Sequence, residues 1–172
     1  MLHIQHVTAD DINRLVNISR ETFYDTFYAE NTPEDMQQFL DSNLSEEALH
    51  KELLDSANAF FFALQGDQLL GYCKLSEADL PELLQDKNAI EIARIYVSKH
   101  ALGKGVGKFL MQHCMEVAKD RSKTCIWLGV WEHNHRAIQF YSQWGFTKFS
   151  EHKFVLGNDV QNDWLMCKLL KA

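Results

Sequence analysis

The chain has 172 residues and a formal net charge of −7, with 46% hydrophobic and 24% charged residues. This length predicts one domain spanning residues 1–172, and the composition excludes an intrinsically disordered chain. The acidic excess argues against binding to a nucleic-acid backbone, which requires clustered Lys and Arg, and it suits a cationic small molecule instead.

The sequence lacks the patterns of a targeting segment, a membrane span and a metal site. The first residues, MLHIQHVTADD, have no basic stretch followed by a long apolar run, and no later stretch approaches the ~18 apolar residues of a membrane helix. The four cysteines form no C-x-x-C pair and have no metal-ligand spacing. We therefore expect a cytoplasmic protein with reduced thiols, no metal and no membrane association. The cysteines are Cys73, Cys114, Cys125 and Cys167.

The first half of the chain predicts one strand, three helices and a hairpin. Alternating apolar residues indicate a strand at 2–7, and Thr8 with the acids after it begins a helix. Thr32-Pro33-Glu34 and Ser45-Glu46-Glu47 begin two more helices. Apolar runs at 58–65 and 69–75, joined by a Gly-Asp turn, predict a β-hairpin. A polar, irregular segment at 77–89 is expected to be a loop.

The second half alternates strands and helices. The predicted elements are a strand at 90–97, a glycine-rich loop at 103–107 leading into a helix, a strand at 124–130, a helix at 134–144, and strands at 146–154 and 164–170. Gly145 has the position of a helix C-terminal cap. This order predicts a mixed α/β domain with at least one parallel crossover.

The glycine loop has the chemistry of a phosphate site. Gly103, Gly105 and Gly107 allow close backbone approach, and the following helix presents free N–H groups and a partial positive charge. A dinucleotide-binding G-x-G-x-x-G motif fails at Lys108, and a P-loop fails at Leu102. An ordinary flexible connection between strand and helix is the alternative interpretation.

A second motif favours the phosphate interpretation. It consists of Asn134, Ala137, Phe140, Tyr141, Gly145 and Phe146 in the spacing N-x-x-A-x-x-F-Y-x-x-x-G-F. Together with the glycine loop, this segment resembles the GNAT superfamily of N-acetyltransferases, which has the same pattern near its end and Q/R-x-x-G-x-G/A after a strand. Gly105 and Gly107 match the latter pattern and Leu102 departs from it. The resemblance implies that this departure removes one side-chain contact with the cofactor and leaves the backbone N–H groups in place.

The resemblance implies a central, mostly antiparallel sheet with one splayed parallel strand pair and helices on both faces. Acetyl-CoA would lie in the splay as a co-substrate, with no metal. Its pantetheine arm would pair with one strand and contact Asn134, and its pyrophosphate would bind the glycine loop. The implied strand residues are Ile95, Tyr96 and Val97, and the implied loop residues are Leu102, Gly103, Lys104, Gly105, Val106, Gly107 and Lys108.

Acetyl transfer needs a base for the amine, a group that stabilises the oxyanion of a tetrahedral intermediate and an acid for the leaving thiolate. The resemblance implies Glu91 as the base, the Val97 N–H at the oxyanion and Tyr141 as the acid. Each has an alternative role: Glu91 in pairing with Arg94 or a lysine, Tyr141 as a core aromatic residue, and Asn134 as a helix cap.

A narrower resemblance, to bacterial PaiA-like spermidine/spermine N-acetyltransferases, implies a small polyamine as the acceptor. Acetylation of a protein or peptide amine and a non-catalytic acyl-CoA sensor are the alternatives. We expect no nucleic-acid partner and allow a homodimer.

The first helix contains an aromatic cluster at Phe23, Tyr24, Phe27 and Tyr28, and at least half of it is expected in the core. Candidate polyamine-binding carboxylates are Asp25, Glu30, Glu34, Asp35 and Glu132.

Overall fold

The structure, a computed structural model, describes residues 1–171. It is a mixed α/β fold, as predicted. The elements are β1 (Leu2–His6), α1 (Ile12–Phe27), α2 (Pro33–Asn43), α3 (Glu46–Leu54), β2 (Asn58–Gln65), β3 (Gln68–Ser76), β4 (Ala89–Val97), α4 (Val106–Asp120), β5 (Cys125–Trp131), α5 (His135–Gln143), β6 (Thr147–Leu156) and β7 (Asp159–Leu169).

The seven strands form one sheet in the order β1-β2-β3-β4-β5-β7-β6. Neighbouring strands are antiparallel except β4 and β5, which are parallel and are connected through α4. The predicted parallel crossover is therefore confirmed. Strand β7 lies between β5 and β6, so the last hairpin adds its second strand to the middle of the sheet and its first strand to the edge.

Helices cover both faces of the sheet, and each face has its own core. One core includes Ile90, Ile126 and Leu128 of the central strands together with Leu110 of α4 and Tyr141 of α5. The other core joins α1, α2 and α3 to the opposite face and includes Leu15, Met36, Leu49, Phe60 and Tyr72. Burial of these side chains is the main force that holds the helices on the sheet.

Local capping sets where α2 and α3 begin, as the sequence predicts. The Thr32 hydroxyl accepts a hydrogen bond from Asp35 N–H at 3.1 Å, and Pro33 occupies the first turn. The Ser45 hydroxyl accepts one from Ala48 N–H at 3.1 Å. Helix α1 begins later than predicted, because residues 9–11 form a 3₁₀ turn after Thr8.

The aromatic cluster of α1 divides between core and surface. Phe23 and Phe27 are buried in the core, which confirms the expectation for half of the cluster. Tyr24 and Tyr28 stack on each other with ring centroids 5.4 Å apart and are 47% and 49% exposed. No helix within residues 1–171 is long and apolar enough to cross a membrane.

Candidate active site

The central feature is the separation of β4 from β5. The two strands pair only at Ala89–Cys125, Ile90–Ile126 and Glu91–Trp127, and beyond these positions they diverge. The opening continues into a cavity of about 870 Å³ that is lined by residues from both faces of the sheet. Residues 92–97 therefore have a strand edge that faces the cavity instead of β5.

A β-bulge directs the free half of β4 away from β5. Lys74 of β3 pairs with Arg94 and Leu75 pairs with Ile92, so Ala93 is the extra residue. Bulges bend a strand and increase its local twist. Ala93 lies two residues after Glu91, the last residue paired with β5, so the bulge is close to the point where the strands diverge.

The glycine loop has the geometry of an anion site. Gly103 and Gly105 have φ angles of +77° and +82°, and a Cβ atom on either would meet no atom within 4 Å. The first hydrogen bond of α4 runs from Phe109 N–H to Gly105 O at 3.0 Å, so the N–H groups of residues 106–108 stand free of the helix ladder. This open cradle of N–H groups fits the pyrophosphate of coenzyme A.

Most of the residues predicted for the cofactor line the cavity. Lys104 does not line it, and Val106 has its side chain in the core and offers only its main-chain N–H. Lys99 and Arg136 also line the cavity, as Lys108 does. The sequence did not identify these two as cofactor-binding residues, because neither occupies a fixed position of the two motifs. The predicted residues that line it are Ile95, Tyr96, Val97, Leu102, Gly103, Gly105, Gly107, Lys108 and Asn134.

Asn134 caps α5 and also faces the cavity. Its side-chain oxygen accepts a hydrogen bond from Ala137 N–H at 3.2 Å, which is the helix-capping role. The amide NH₂ of the same side chain is not used by this cap, and the residue lines the cavity. Asn134 can thus cap α5 through its side-chain oxygen and contact the pantetheine arm through its amide NH₂.

Tyr141 reaches the cavity from α5. Its ring packs edge-on against Phe140 and Phe146, with centroids 5.6 and 6.0 Å away, and the residue is buried. Burial, with a smaller effect of Cys114, raises the pKa of the Tyr141 phenol above its ordinary value. The hydroxyl therefore stays protonated at neutral pH, which is the state that a proton donor needs.

Glu91 is not among the residues that line the cavity. Burial raises the pKa of its carboxyl to about 7, although Lys74 and Arg94 act in the opposite direction. These two cations bind Glu52 instead: the Arg94 guanidinium makes two hydrogen bonds to it at 2.6 and 2.9 Å, and Lys74 Nζ makes one at 3.0 Å. Glu52, and not Glu91, thus forms the ion pairs with Arg94 and a lysine that the sequence suggested as an alternative role for Glu91.

The cavity continues on the α1–α3 face between aromatic walls. Phe23 stacks on Phe39 with centroids 4.3 Å apart, Phe39 contacts Phe154 at 5.7 Å, and Phe27 lies 6.2 Å from Trp131. All five rings line the cavity. We refer to this part, on the α1–α3 face, as the acceptor arm.

Carboxylates in the acceptor arm come from α1 and β7. Asp25 lines it, as the sequence suggested, and Asp163 lines it without having been predicted. Asp163 pairs with Trp131 of β5 and His152 of β6, so its position depends on the strand order. Of the other predicted carboxylates, Glu30 and Asp35 line a separate cavity of about 300 Å³. Neither Glu34 nor Glu132 lines the main cavity.

Comparisons with known proteins agree with this geometry. Residues 12–146 match the family described as the Acetyltransferase (GNAT) family. An uncharacterized N-acetyltransferase from the pepI 3′ region of Lactobacillus delbrueckii subsp. lactis is 42% identical over 167 residues, which cover 97% of this chain and 96% of the relative.

Two solved structures share the fold. The PaiA N-acetyltransferase of Thermoplasma acidophilum, in complex with coenzyme A, has a TM-score of 0.80 and 21% identity, with 99% of each chain covered. The spermidine/spermine N-acetyltransferase SpeG of Vibrio cholerae has a TM-score of 0.69 and 19% identity, with 98% of this chain and 92% of that chain covered.

The family match and the 42% identical relative define an enzyme that transfers an acetyl group from acetyl-CoA to an amine, and the splayed strands agree with that fold. The family match extends over most of the sequence and includes both motifs. The chain belongs to the GNAT family of N-acetyltransferases. Acetyl-CoA is its co-substrate, and residues 1–171 contain no cluster of side chains that could hold a metal ion.

Proposed function

We propose that the acceptor is a small cationic amine, and specifically a polyamine such as spermidine or spermine. The observation that carries the proposal is the pair of carboxylates, Asp25 and Asp163, within one aromatic acceptor arm. Carboxylates bind ammonium groups by charge-assisted hydrogen bonds, and aromatic faces attract cations. A polyamine has several ammonium groups joined by apolar methylene chains. The ammonium groups suit the two carboxylates, and the methylene chains suit the aromatic rings.

The shape of the acceptor arm favours a small acceptor over a peptide. Helix α2 contacts the β6–β7 hairpin through Phe39 and Phe154 and through Asn158 N–H, which donates to the Asp35 carboxylate at 2.9 Å. These contacts close one side of the arm, whereas a protein substrate needs an open groove. The SpeG structure, named for spermidine and spermine, has the same fold and is consistent with this choice.

In the proposed reaction Tyr141 protonates the departing thiolate and the Val97 N–H stabilises the oxyanion. The N–H cradle together with Lys99, Lys108 and Arg136 binds the anionic part of coenzyme A. The proposal places the enzyme in the cytoplasm, whose reducing conditions suit the four free cysteines.

An amine panel tests the proposal. Release of free thiol from acetyl-CoA is measured with spermidine, spermine, monoamines, amino acids and peptides with free N-termini. We expect the highest kcat/KM with a polyamine. Transfer to peptides or amino acids without transfer to polyamines would contradict the proposal.

A matched pair of variants tests the charge of the acceptor arm. Asp25→Asn removes a carboxylate that lines the arm, and Glu30→Gln removes one from the separate small cavity. Because a half-exposed ion pair contributes up to about 1 kcal/mol, Asp25→Asn is expected to raise the KM for spermidine about fivefold. Glu30→Gln should leave it unchanged, and equal effects of both variants would contradict a specific role of Asp25.

A further inference from the structure

Asp163 has the position of a residue that contacts the acceptor. It lies on β7 directly opposite Trp131, beyond the last paired residues of β4 and β5. One of its carboxylate oxygens is 3.7 Å from the place that a Cβ atom on Gly129 would occupy. Because Gly129 has no side chain, the carboxylate faces β5 at the level where the sheet is open.

The carboxylate of Asp163 takes part in none of the ion pairs formed within residues 1–171. The imidazole of His152, which pairs with Asp163 across the strands, lies beside it at Gly129. Burial raises the pKa of Asp163, Glu132 raises it further and the cross-strand neighbour His152 lowers it. A half-buried carboxylate that forms no ion pair is destabilised in its charged form, so a bound ammonium would compensate it.

Asp163 is also close to the residues that flank the reacting groups. Tyr96 of β4 lines the same cavity as Tyr141 and Asp163. Burial raises the pKa of the Tyr96 phenol, and Tyr72, Tyr141 and Asp163 add smaller effects in the same direction. Tyr141 belongs to the α5 side of the opening and Asp163 to the acceptor arm. The two groups thus approach the opening from opposite faces of the sheet.

Gln161 supplies a second acceptor two residues before Asp163 on β7. Its side-chain nitrogen donates to Asn31 Oδ1 at 3.2 Å and to Asp159 Oδ2 at 2.9 Å. Its side-chain oxygen is buried and has no hydrogen-bond partner within residues 1–171. Both residues line the acceptor arm, so an amine that enters it meets two acceptors along one strand.

We propose that Asp163 is the carboxylate that binds the acceptor ammonium and removes its proton, in place of Glu91. This inference rests on the proposed cationic acceptor. One proton passes from the ammonium nitrogen to the Asp163 carboxylate, which leaves a neutral amine with a free electron pair and a carboxylic acid. The amine nitrogen then bonds to the carbonyl carbon of acetyl-CoA, whose C=O electron pair moves to oxygen to give the tetrahedral oxyanion. When this intermediate collapses, the C=O bond forms again and the carbon–sulfur bond breaks.

The remaining protons balance through Tyr141 and water. Sulfur keeps the electron pair of its broken bond and takes a proton from the Tyr141 hydroxyl, which regains one from the acetylated nitrogen. Asp163 returns its proton to water through the acceptor arm. A carboxylate with a raised pKa is suited to both halves of this cycle, because it accepts a proton at neutral pH and releases it again.

The first test compares Asp163→Asn with Glu91→Gln, each of which removes one carboxylate and keeps its shape. With the best amine of the panel, Asp163→Asn is expected to lower kcat/KM by about 10²–10⁴-fold, the usual contribution of a base. The Kd for acetyl-CoA and the Tm should remain close to those of the wild type. Glu91→Gln should retain most of the activity, and the reverse ranking of the two variants would overturn the proposal.

The second test separates proton removal from simple positioning. An alkoxyamine is a weakly basic amine that is already neutral at an assay pH of about 7.5, so it needs no base. The loss of kcat/KM caused by Asp163→Asn should therefore be much smaller with this acceptor than with the polyamine. The fall of kcat/KM at low pH that Asp163 causes in the wild type should be absent from the pH profile of the variant. An equal loss with both acceptors would overturn the proposal.

The two proposals fail in different ways. If the wild type prefers a peptide amine, the polyamine proposal fails, and Asp163→Asn is then assayed with that peptide as the acceptor. If the wild type acetylates polyamines and Asp163→Asn does so equally well, only the role of Asp163 fails. Absence of transfer to every amine tested would overturn both.

Discussion

Tyr141 combines two properties that are usually separate, since it belongs to a hydrophobic core and also lines the reaction cavity. The core fixes the ring through edge contacts with Phe140 and Phe146. Burial raises the pKa of the phenol further above neutral pH. The core role and the proposed catalytic role are therefore compatible, because the packing holds the ring in place while the residue lines the cavity.

The Tyr141→Phe variant tests whether the hydroxyl of Tyr141 acts as the proton donor. The substitution keeps the ring and its packing and removes only the hydroxyl. We expect kcat to fall by about 10²-fold or more, with little change in the Kd for acetyl-CoA. Steady-state kinetics and calorimetric titration of coenzyme A measure the two quantities. Unchanged turnover would remove Tyr141 from the mechanism.

Among the elements, β4 has the most demanding geometry, because it pairs with β3 along its length and with β5 at three positions only. Its close contact with β3 depends on Gly71. A Cβ atom at this position would lie 2.7 Å from the Tyr96 carbonyl oxygen, which is backbone and cannot rotate away. Gly71 therefore allows β3 to support the strand whose free edge faces the cavity.

Gly71→Ala should for this reason destabilise the fold and displace that edge. We expect a loss of about 1–3 kcal/mol in the free energy of unfolding, which is typical of overpacked interiors, and a higher KM for acetyl-CoA. Gly129→Ala is the control, since a Cβ atom there would meet no atom closer than 3.6 Å. Urea denaturation of both variants measures the difference, and equal stabilities would contradict the steric argument.

The helices and strands were largely predictable from the sequence, whereas the contribution of β7 to the acceptor arm was not. Caps such as Thr32 and Ser45 and the apolar runs of β2 and β4 are local signals, and the glycine loop has a fixed spacing. Asp163 enters the site only because β7 lies between β5 and β6, a pairing of residues that are distant in sequence. The register of residues 94–97 likewise depends on a bulge at Ala93 that no local pattern announces.

For the whole molecule, the net charge of −7 conceals two oppositely charged sets of side chains in the cavity. The cations Lys99, Lys108 and Arg136 and the carboxylates Asp25 and Asp163 all line the cavity. This distribution supports the proposed pairing of an anionic co-substrate with a cationic acceptor. Both attractions are weakened by salt, because the Debye length is about 8 Å at physiological ionic strength.

This division predicts how salt affects the kinetics. The KM of spermidine should rise steeply between about 0.05 and 0.5 M NaCl, while that of a monoamine of similar apolar length should rise less, because fewer charges are screened. Steady-state kinetics at constant pH measure both slopes. Equal slopes would indicate that the acceptor arm recognises only the reacting amine.

The opening of the sheet also has an evolutionary consequence. The glycine loop and α5 pack on the core of one face of the sheet, and α1 and α2 pack on the core of the other face. Residues from both faces line the cavity. In the proposed assignment the acetyl donor contacts the first set of elements and the acceptor contacts the second. Mutations on one face can thus alter the choice of acceptor while the donor site is inherited unchanged, so one scaffold can diversify toward many amines.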